Sequence, residues 1–238
     1  MKNRINNPHL PALFLLLGTA GWLTRVGMYR FAMDEKGLLD GSHPLVWLLV
    51  LLTLGAAALL LLSRGEEKPL PGASVLPAAG AFVLAAGLVS AALGIELYST
   101  REIICPALGI LAAALQLWAG ISHLRRKEPS FACNCLTGVF LGLYAILCYN
   151  GWSGNPQYHQ YFYFAAGLIL LALTACCQAS FAAGLGWGKH HRYFALGAAF
   201  LCLTAIPASG EPLFLWAGGV WAALSLCRSA GGESHADS

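Results

Sequence analysis

Residues 44–62 read PLVWLLVLLTLGAAALLLL and contain no charged side chain. A helix of about 20 such residues spans the hydrocarbon core of a bilayer, which is about 30 Å thick. Residues 29–44, YRFAMDEKGLLDGSHP, concentrate charge in a short segment between this run and an earlier apolar run, residues 10–30. Long apolar runs and short polar segments alternate in this way along the whole chain, which indicates an integral membrane protein.

The composition supports the same class of protein. The chain has 238 residues, of which 58% are hydrophobic and 11% are charged, whereas soluble domains carry about 25% charged residues. The apolar runs lack the residue-by-residue alternation of transmembrane β-strands. Backbone groups in lipid must be hydrogen-bonded within the protein, so helices are expected. The net charge is +3 and the basic residues are dispersed, which argues against nucleic-acid binding.

The apolar runs predict an all-α, polytopic transmembrane helix bundle of about eight spans. A single membrane domain covers residues 1–228, and a short disordered tail covers 229–238. The Pro- and Gly-containing segment 207–212 separates the last two spans, which are short. If these two formed a re-entrant hairpin, the domain would have six full spans and one buried pair. The predicted spans are 10–30, 44–62, 74–95, 103–123, 133–150, 160–185, 192–207 and 212–227.

The distribution of Lys and Arg predicts the orientation. Ten of the fourteen fall on the side that carries both termini. Because cytoplasmic loops are enriched in Lys and Arg, both termini are expected in the cytoplasm. The ten are Lys2, Arg4, Arg64, Lys68, Arg125, Arg126, Lys127, Lys189, Arg192 and Arg228; the other four are Arg25, Arg30, Lys36 and Arg101.

Few polar residues fall within the spans. No Asp, Glu, Lys or His lies near the middle of a predicted span. Arg25 is close enough to the outer end of the first span for its side chain to snorkel to the interface. Gln116 lies near the centre of the fourth span, where an interhelical hydrogen bond would satisfy it. Thr53, Thr174, Gln178 and Thr204 are interpreted in the same way.

The sequence offers no catalytic or cofactor motif. Cys133 and Cys135 have the wrong spacing for a zinc knuckle, and most of the eight cysteines lie in or beside apolar runs. Paired histidines for haem, the His-Glu-x-x-His motif and a P-loop are all missing from the sequence. We therefore expect no metal and no cofactor, and an enzyme is the least favoured class.

Polar and aromatic side chains gather instead in the predicted outer loops. We take eight of them as candidate ligand-binding residues. Arg25 and Glu96 each lie at the outer end of a span, where they could pair as a structural lock or bind a ligand. The aromatic loop 149–164 fits an interfacial belt or a platform on which a ligand stacks. The eight candidates are Arg25, Arg30, Asp34, His43, Glu96, Arg101, Trp152 and His159.

Capping accounts for part of the 29–44 segment. Gly37 suits the end of the first helix, and Lys36 suits the negative end of its dipole. Asp40 or Ser42 is the expected N-cap of the second helix, with Pro44 in its first turn. Capping leaves four side chains unexplained, namely Arg30, Asp34, Glu35 and His43.

Two segments carry a resemblance to a known group of proteins. The first contains Tyr29-Arg30, Asp34, Gly37-Leu38-Leu39 and His43-Pro44, and the second is 158–186, YHQYFYFAAGLILLALTACCQASFAAGLG. The chain resembles uncharacterised multi-span integral membrane proteins of anaerobic Gram-positive bacteria. This resemblance implies a bacterial plasma membrane and implies no activity, cofactor or catalytic residue.

Three functions are compatible with this pattern. The first is a transport or solute-binding component with an outward-facing polar and aromatic site for a small polar solute. The alternative is a non-catalytic bundle that assembles with or stabilises another membrane protein. Both functions place the protein in contact with the lipid bilayer. A membrane enzyme acting on a lipid-linked substrate ranks last. An outward cavity with Arg25 and Glu96 facing into it would favour the first function, whereas a filled bundle with these two residues paired and sealed would argue against a site there.

Overall fold

The computed structural model describes residues 9–33, 39–63, 75–95, 103–125, 127, 129–152, 158–185 and 188–227. These residues form eight α-helices, and apart from one isolated β-bridge between Met33 and Leu39 they form no strand. The predicted all-α helix bundle is therefore confirmed. The helices are α1 (Leu10–Phe31), α2 (Pro44–Leu62), α3 (Val75–Gly94), α4 (Ile104–Leu124), α5 (Phe131–Trp152), α6 (Tyr158–Ala182), α7 (Gly188–Ala205) and α8 (Pro212–Leu224).

Six of these helices, α1 to α6, are long and apolar enough to cross a membrane. The protein is therefore a multi-pass integral membrane protein. The last two helices differ from them. α7 carries His190, His191 and Arg192 in its first turns, and α8 has 13 residues, which cover about 20 Å at 1.5 Å per residue. Most side chains of both helices are nevertheless buried, so the pair lies inside the bundle.

Six helices form a closed ring. Each helix from α3 to α8 packs on the next, and α8 packs back on α3. Large side chains fill the ring, among them Phe140, Leu168, Leu171, Phe214 and Trp221. Outside the ring, α1 packs on α7, and α2 packs mainly on α1. Only Leu49 and Ala56 of α2 are buried, which leaves α2 as the most peripheral helix.

Glycines set the close approach of α3 to α8. Gly80, Gly87 and Gly94 recur every seven residues and all face the α8 segment. A Cβ at Gly87 would lie 2.6 Å from the Cβ of Ala217, and a Cβ at Gly80 would lie 3.2 Å from that of Leu224. Small residues allow helix backbones in a membrane to approach closely. This row of glycines therefore permits the contact that closes the ring.

The two ends of the bundle can be defined from these contacts. Gly80 meets Leu224, whereas Gly94 meets Glu211, so α3 and α8 run in opposite directions. Likewise Gly27 near the end of α1 meets Leu45 at the start of α2. The end that carries the α1–α2, α3–α4, α5–α6 and α7–α8 connections is called the predicted outer end, because the Lys and Arg bias predicts that it faces outward.

Gly87→Ala should destabilise the bundle, because the added Cβ would overlap Ala217. Overpacking of this kind costs about 1–3 kcal/mol. The matched control is Gly55→Ala in α2, where an added Cβ has no neighbour within 4 Å. We expect a lower thermal unfolding midpoint for Gly87→Ala in detergent and no loss for Gly55→Ala. Equal midpoints for the two variants would contradict the glycine contact.

Candidate functional site

The structure describes three of the eight predicted site residues completely, Arg25, Arg30 and His43. Arg30 is exposed in the last turn of α1. Asp34, Glu96 and Arg101 lie outside the described residues, and so does the predicted Arg25–Glu96 pair. Trp152 ends α5 and His159 lies in the first turn of α6, but their side chains are not part of the description.

His43 is the N-cap of α2. The backbone N–H of Leu45 donates to His43 Nδ1 at 3.3 Å, and Pro44 occupies the first helical position. The prediction that Asp40 or Ser42 caps this helix is wrong. Asp40 Oδ1 instead accepts hydrogen bonds from the backbone N–H of Ser42 at 2.9 Å and from its hydroxyl at 2.6 Å, because a short Asp side chain readily closes a turn on the residue two positions later. Capping thus explains His43 without a ligand.

Arg25 is buried, with 4% of its surface exposed. Its Nη2 donates to the Tyr29 hydroxyl at 2.9 Å, and its Nη1 donates to the Thr204 carbonyl oxygen at 3.3 Å. Its guanidinium carbon also lies 5.2 Å from the ring centroid of Tyr163 and 5.7 Å from that of Tyr29, within cation–π range. The guanidinium is therefore held by protein groups of α1, α6 and α7.

A second hydrogen bond extends this arrangement to α2. The Thr53 hydroxyl donates to the Leu49 carbonyl oxygen and lies 2.8 Å from the Tyr163 hydroxyl. Since the Thr53 proton is used within its own helix, Tyr163 is the donor to Thr53. Arg25, Tyr29, Thr53, Tyr163 and Thr204, here called the Arg25 cluster, connect α1, α2, α6 and α7. This geometry favours a structural role for Arg25 over a ligand site, and the predicted lock with Glu96 lies outside the described residues.

Arg25→Lys should destabilise the protein even though it keeps the charge. A lysine lacks the planar fork that reaches Tyr29 and Thr204 together, and it stacks less well on Tyr163. Hydrogen bonds to charged groups contribute about 1.5–3 kcal/mol each, so a loss within that range is expected. Arg30→Lys, at an exposed position in the same helix, is the control. A thermal unfolding midpoint that both substitutions leave unchanged would rule out this structural role of Arg25.

A second buried polar cluster joins α4 to α5. Gln116 is 1% exposed, and its Nε2 donates to Thr137 Oγ1 at 2.9 Å and to Asn134 Oδ1 at 3.1 Å. The predicted interhelical hydrogen bond of Gln116 is therefore confirmed. Both hydrogen bonds join groups within the protein. The packing of α4 on α5 therefore explains the polar residues of this cluster.

Glu211 is the functional candidate that the sequence reasoning did not single out. It lies directly before α8, at the N-cap position, but its side chain makes no capping hydrogen bond. The carboxylate instead reaches across to α3, where Ser90 Oγ donates toward Glu211 Oε2 over 3.5 Å. A Cβ on Gly94 would collide with this carboxylate, whose carbon would lie only 2.7 Å away. The acid is thus directed between helices rather than into its own helix.

Aromatic and sulfur-containing side chains lie near this carboxylate. The ring of Tyr144 in α5 meets the ring of Phe214, in the first turn of α8, edge-on at 5.4 Å. Glu211 is within electrostatic range of the Tyr144 hydroxyl and of Cys148, one turn later in α5. Ser90, Gly94, Tyr144, Cys148 and Glu211 are together called the Glu211 site. It lies at the predicted outer end.

Burial raises the pKa of the Glu211 carboxyl, and the contact with Ser90 partly opposes this effect.

The remaining polar side chains give no indication of a metal centre: no group of three or more His, Cys, Asp or Glu in the described part of the chain could hold one. A surface groove of about 370 Å³ lies elsewhere, on α4, and only aliphatic residues line it: Ile103, Ile104, Ala107, Leu108 and Leu111. Neither the remaining polar side chains nor this groove forms a polar site comparable to the one at Glu211.

Comparisons of the chain with known protein families, with curated proteins and with solved structures find no match. The class of the protein therefore follows from its own fold. Eight packed helices, six of which could cross a membrane, define a helical integral membrane protein.

Glu211→Gln should change how stability depends on pH. Because the carboxyl pKa is raised in the folded protein, its stabilising contribution is fully present below the unfolded-state value of about 4.5 and is lost as pH rises through the folded-state value. Glutamine cannot ionise. The unfolding midpoint of the wild type, relative to Glu211→Gln, should therefore fall as pH rises from about 4 to 7.

Asp40→Asn provides a control of opposite sign. Hydrogen bonds from the Ser42 side chain and backbone lower the pKa of the Asp40 carboxyl. The contribution of this carboxylate to the stability of the folded protein is therefore lost as pH falls. Midpoint curves for wild type and Glu211→Gln that stay parallel across this pH range would show that Glu211 titrates as a solvated residue.

Proposed function

We propose that this membrane protein is a transport or solute-binding component whose site opens at the predicted outer end and is built around Glu211. One observation carries the proposal: the Glu211 carboxylate packs against Ser90 and Gly94 of α3 and does not cap α8. A carboxylate at this position could accept hydrogen bonds from the backbone N–H groups of its own helix start, so its orientation toward α3 is the ground for assigning it a role.

The surrounding segment supports this proposal. Glu211 belongs to the stretch Pro-Ala-Ser-Gly-Glu-Pro at 207–212, which interrupts two short, buried helices. In membrane transporters, short helices interrupted by Gly or Pro mark binding sites, because helix ends offer polar groups to the solute. The α7–α8 break has this character, and it adjoins the Glu211 site.

The chemistry of the site supports a small polar solute. An ionised carboxylate only accepts hydrogen bonds, whereas the hydroxyls of Ser90 and Tyr144 both donate and accept. The Tyr144 and Phe214 rings add an apolar wall. This combination suits a compact solute with hydrogen-bond donors. We further propose that the membrane is a bacterial plasma membrane, as the resemblance implies. The Lys and Arg bias supports the proposal that both termini lie in the cytoplasm.

The alternative function is assembly with another membrane protein, and α2 is the observation that favours it. α2 packs on α1 and α7 at the periphery, and two of its 19 residues are buried. Leucines cover much of the remaining surface, and lipid contact alone would also accommodate them. The alternative therefore ranks second.

A thermal-shift screen of the detergent-purified protein against small polar solutes tests the first function. A solute that binds the folded state raises the unfolding midpoint, by the equivalent of about 2.7 kcal/mol at a hundred times its dissociation constant. Glu211→Gln should abolish this response, whereas Asp40→Asn, which changes an exposed carboxylate at the same end, should retain it. A response that survives Glu211→Gln, or no response to any solute, would reject a solute site at Glu211 and favour the assembly alternative.

A further inference from the structure

We propose that Cys105 and Cys148 are a site of redox modification: on the outer side of the membrane they join in a disulfide that fixes the start of α4 to the end of α5. The inference goes beyond the proposed solute site. It rests on the proposed orientation, which places these ends of the two helices outside. All eight cysteines are free thiols in the structure, so the bond belongs to the oxidised form of the protein.

The packing of α4 on α5 brings the two cysteines to facing positions. Gln116 and Thr137 face one another across these antiparallel helices, with Gln116 Nε2 2.9 Å from Thr137 Oγ1. Cys105 precedes Gln116 by eleven residues, and Cys148 follows Thr137 by eleven. Eleven residues make three helical turns and cover about 16 Å. Each cysteine therefore lies on the same side of its helix as Gln116 or Thr137, and the two cysteines lie at the same height.

A glycine contact shows that the two helices stay together over this distance. A Cβ on Gly109, one turn after Cys105, would lie 2.8 Å from the Phe140 ring. The glycine thus favours the short separation, about 4.4–6.8 Å between Cα atoms, that a disulfide requires. At the predicted outer end, the Cys105 and Cys148 thiols are within electrostatic range of one another, and Tyr144 is within range of both.

The two thiols differ in exposure, which sets the order of the reaction. Cys148 is half-buried, whereas Cys105 is 5% exposed. The Cys148 thiolate therefore attacks the disulfide of an external oxidant, such as a dithiol–disulfide oxidoreductase, and forms a mixed disulfide. Attack by the Cys105 thiolate on the Cys148 sulfur then closes the protein disulfide and releases the oxidant as its dithiol. The protein gives up two protons and two electrons, and the oxidant takes up both pairs.

A second pair of cysteines at the opposite end provides a matched control. Cys135, in the second turn of α5, is within electrostatic range of Cys176 in α6. These two residues lie toward the predicted cytoplasmic end. Cys176 is exposed and Cys135 is half-buried, so this pair is more accessible than the first. Disulfides persist on the oxidising outer side of a cell membrane and are rare in the cytoplasm, so we expect the second pair to stay reduced in cells.

The test is thiol trapping in cells that express the full-length chain. Acid quenching and N-ethylmaleimide block the free thiols, reduction releases the disulfide-bonded ones, and a polyethylene glycol maleimide then marks them by a gel shift. The wild type, Cys135→Ala and Cys176→Ala should each show one pair of released thiols, whereas Cys105→Ala and Cys148→Ala should show none. Mass spectrometry of the labelled peptides assigns the pair in the wild type without any variant.

Diamide, a thiol oxidant, gives a second measurement on the Cys176→Ala protein in detergent, which lacks the control pair. Oxidation should raise its unfolding midpoint by about 5–10 °C, because a disulfide constrains the unfolded chain. Dithiothreitol should reverse the rise, and a further Cys148→Ala substitution should remove it.

Three results would overturn the inference. The first is that Cys105 and Cys148 are blocked as free thiols in cells, and the second is that diamide leaves the midpoint unchanged. The third is a released pair made of Cys135 and Cys176, which would also contradict the proposed orientation. None of these measurements uses a solute, so failure of the disulfide and failure of the solute site give different results.

Discussion

The close approach of α8 to α3 is the contact on which the rest of this structure depends. A Cβ at Gly80 or Gly87 would fall within 2.6–3.2 Å of α8 side chains, so the two backbones can meet only because these positions are glycines. This contact closes the ring of six helices and encloses Phe140, Phe214 and Trp221. The same contact sets the start of α8 beside the end of α3, which brings Glu211 to Ser90.

The polar contacts between helices fall into two kinds. Those of the Arg25 and Gln116 clusters have protein partners on neighbouring helices, as polar groups in a low-dielectric interior require. They stabilise the packing of α1 and α2 on α7, and of α4 on α5. Glu211 differs. At the start of α8 its carboxylate could accept hydrogen bonds from backbone N–H groups, which would be better partners than the one it has. This uncapped position is the ground on which a role beyond packing is proposed for Glu211.

Most of the helix bounds could be predicted from the sequence, because a long apolar run in lipid forms a helix to satisfy its backbone hydrogen bonds. The predicted span 44–62 coincides with α2, and 10–30 differs from α1 by one residue. The partners of each helix could not be predicted. Arg25 bonds to Thr204, 179 residues away, and nothing in a local pattern connects them. The seven-residue spacing of the α3 glycines is visible in the sequence, but the sequence does not say which helix they face. Glu211 was missed because its segment reads only as a break between helices.

The depth of the Glu211 site constrains how transport could proceed. Glu211 is level with Gly94, the last residue of α3, and Ser90 lies one turn deeper. A solute or ion could therefore reach the carboxylate from the predicted outer end without crossing the bundle. Beneath it, Phe140 and Tyr144 are stacked at 5.7 Å and Tyr144 meets Phe214, so the core is filled. Passage inward would require these rings to separate, and because Phe214 belongs to α8, the movement would be of α8 along the glycine face of α3.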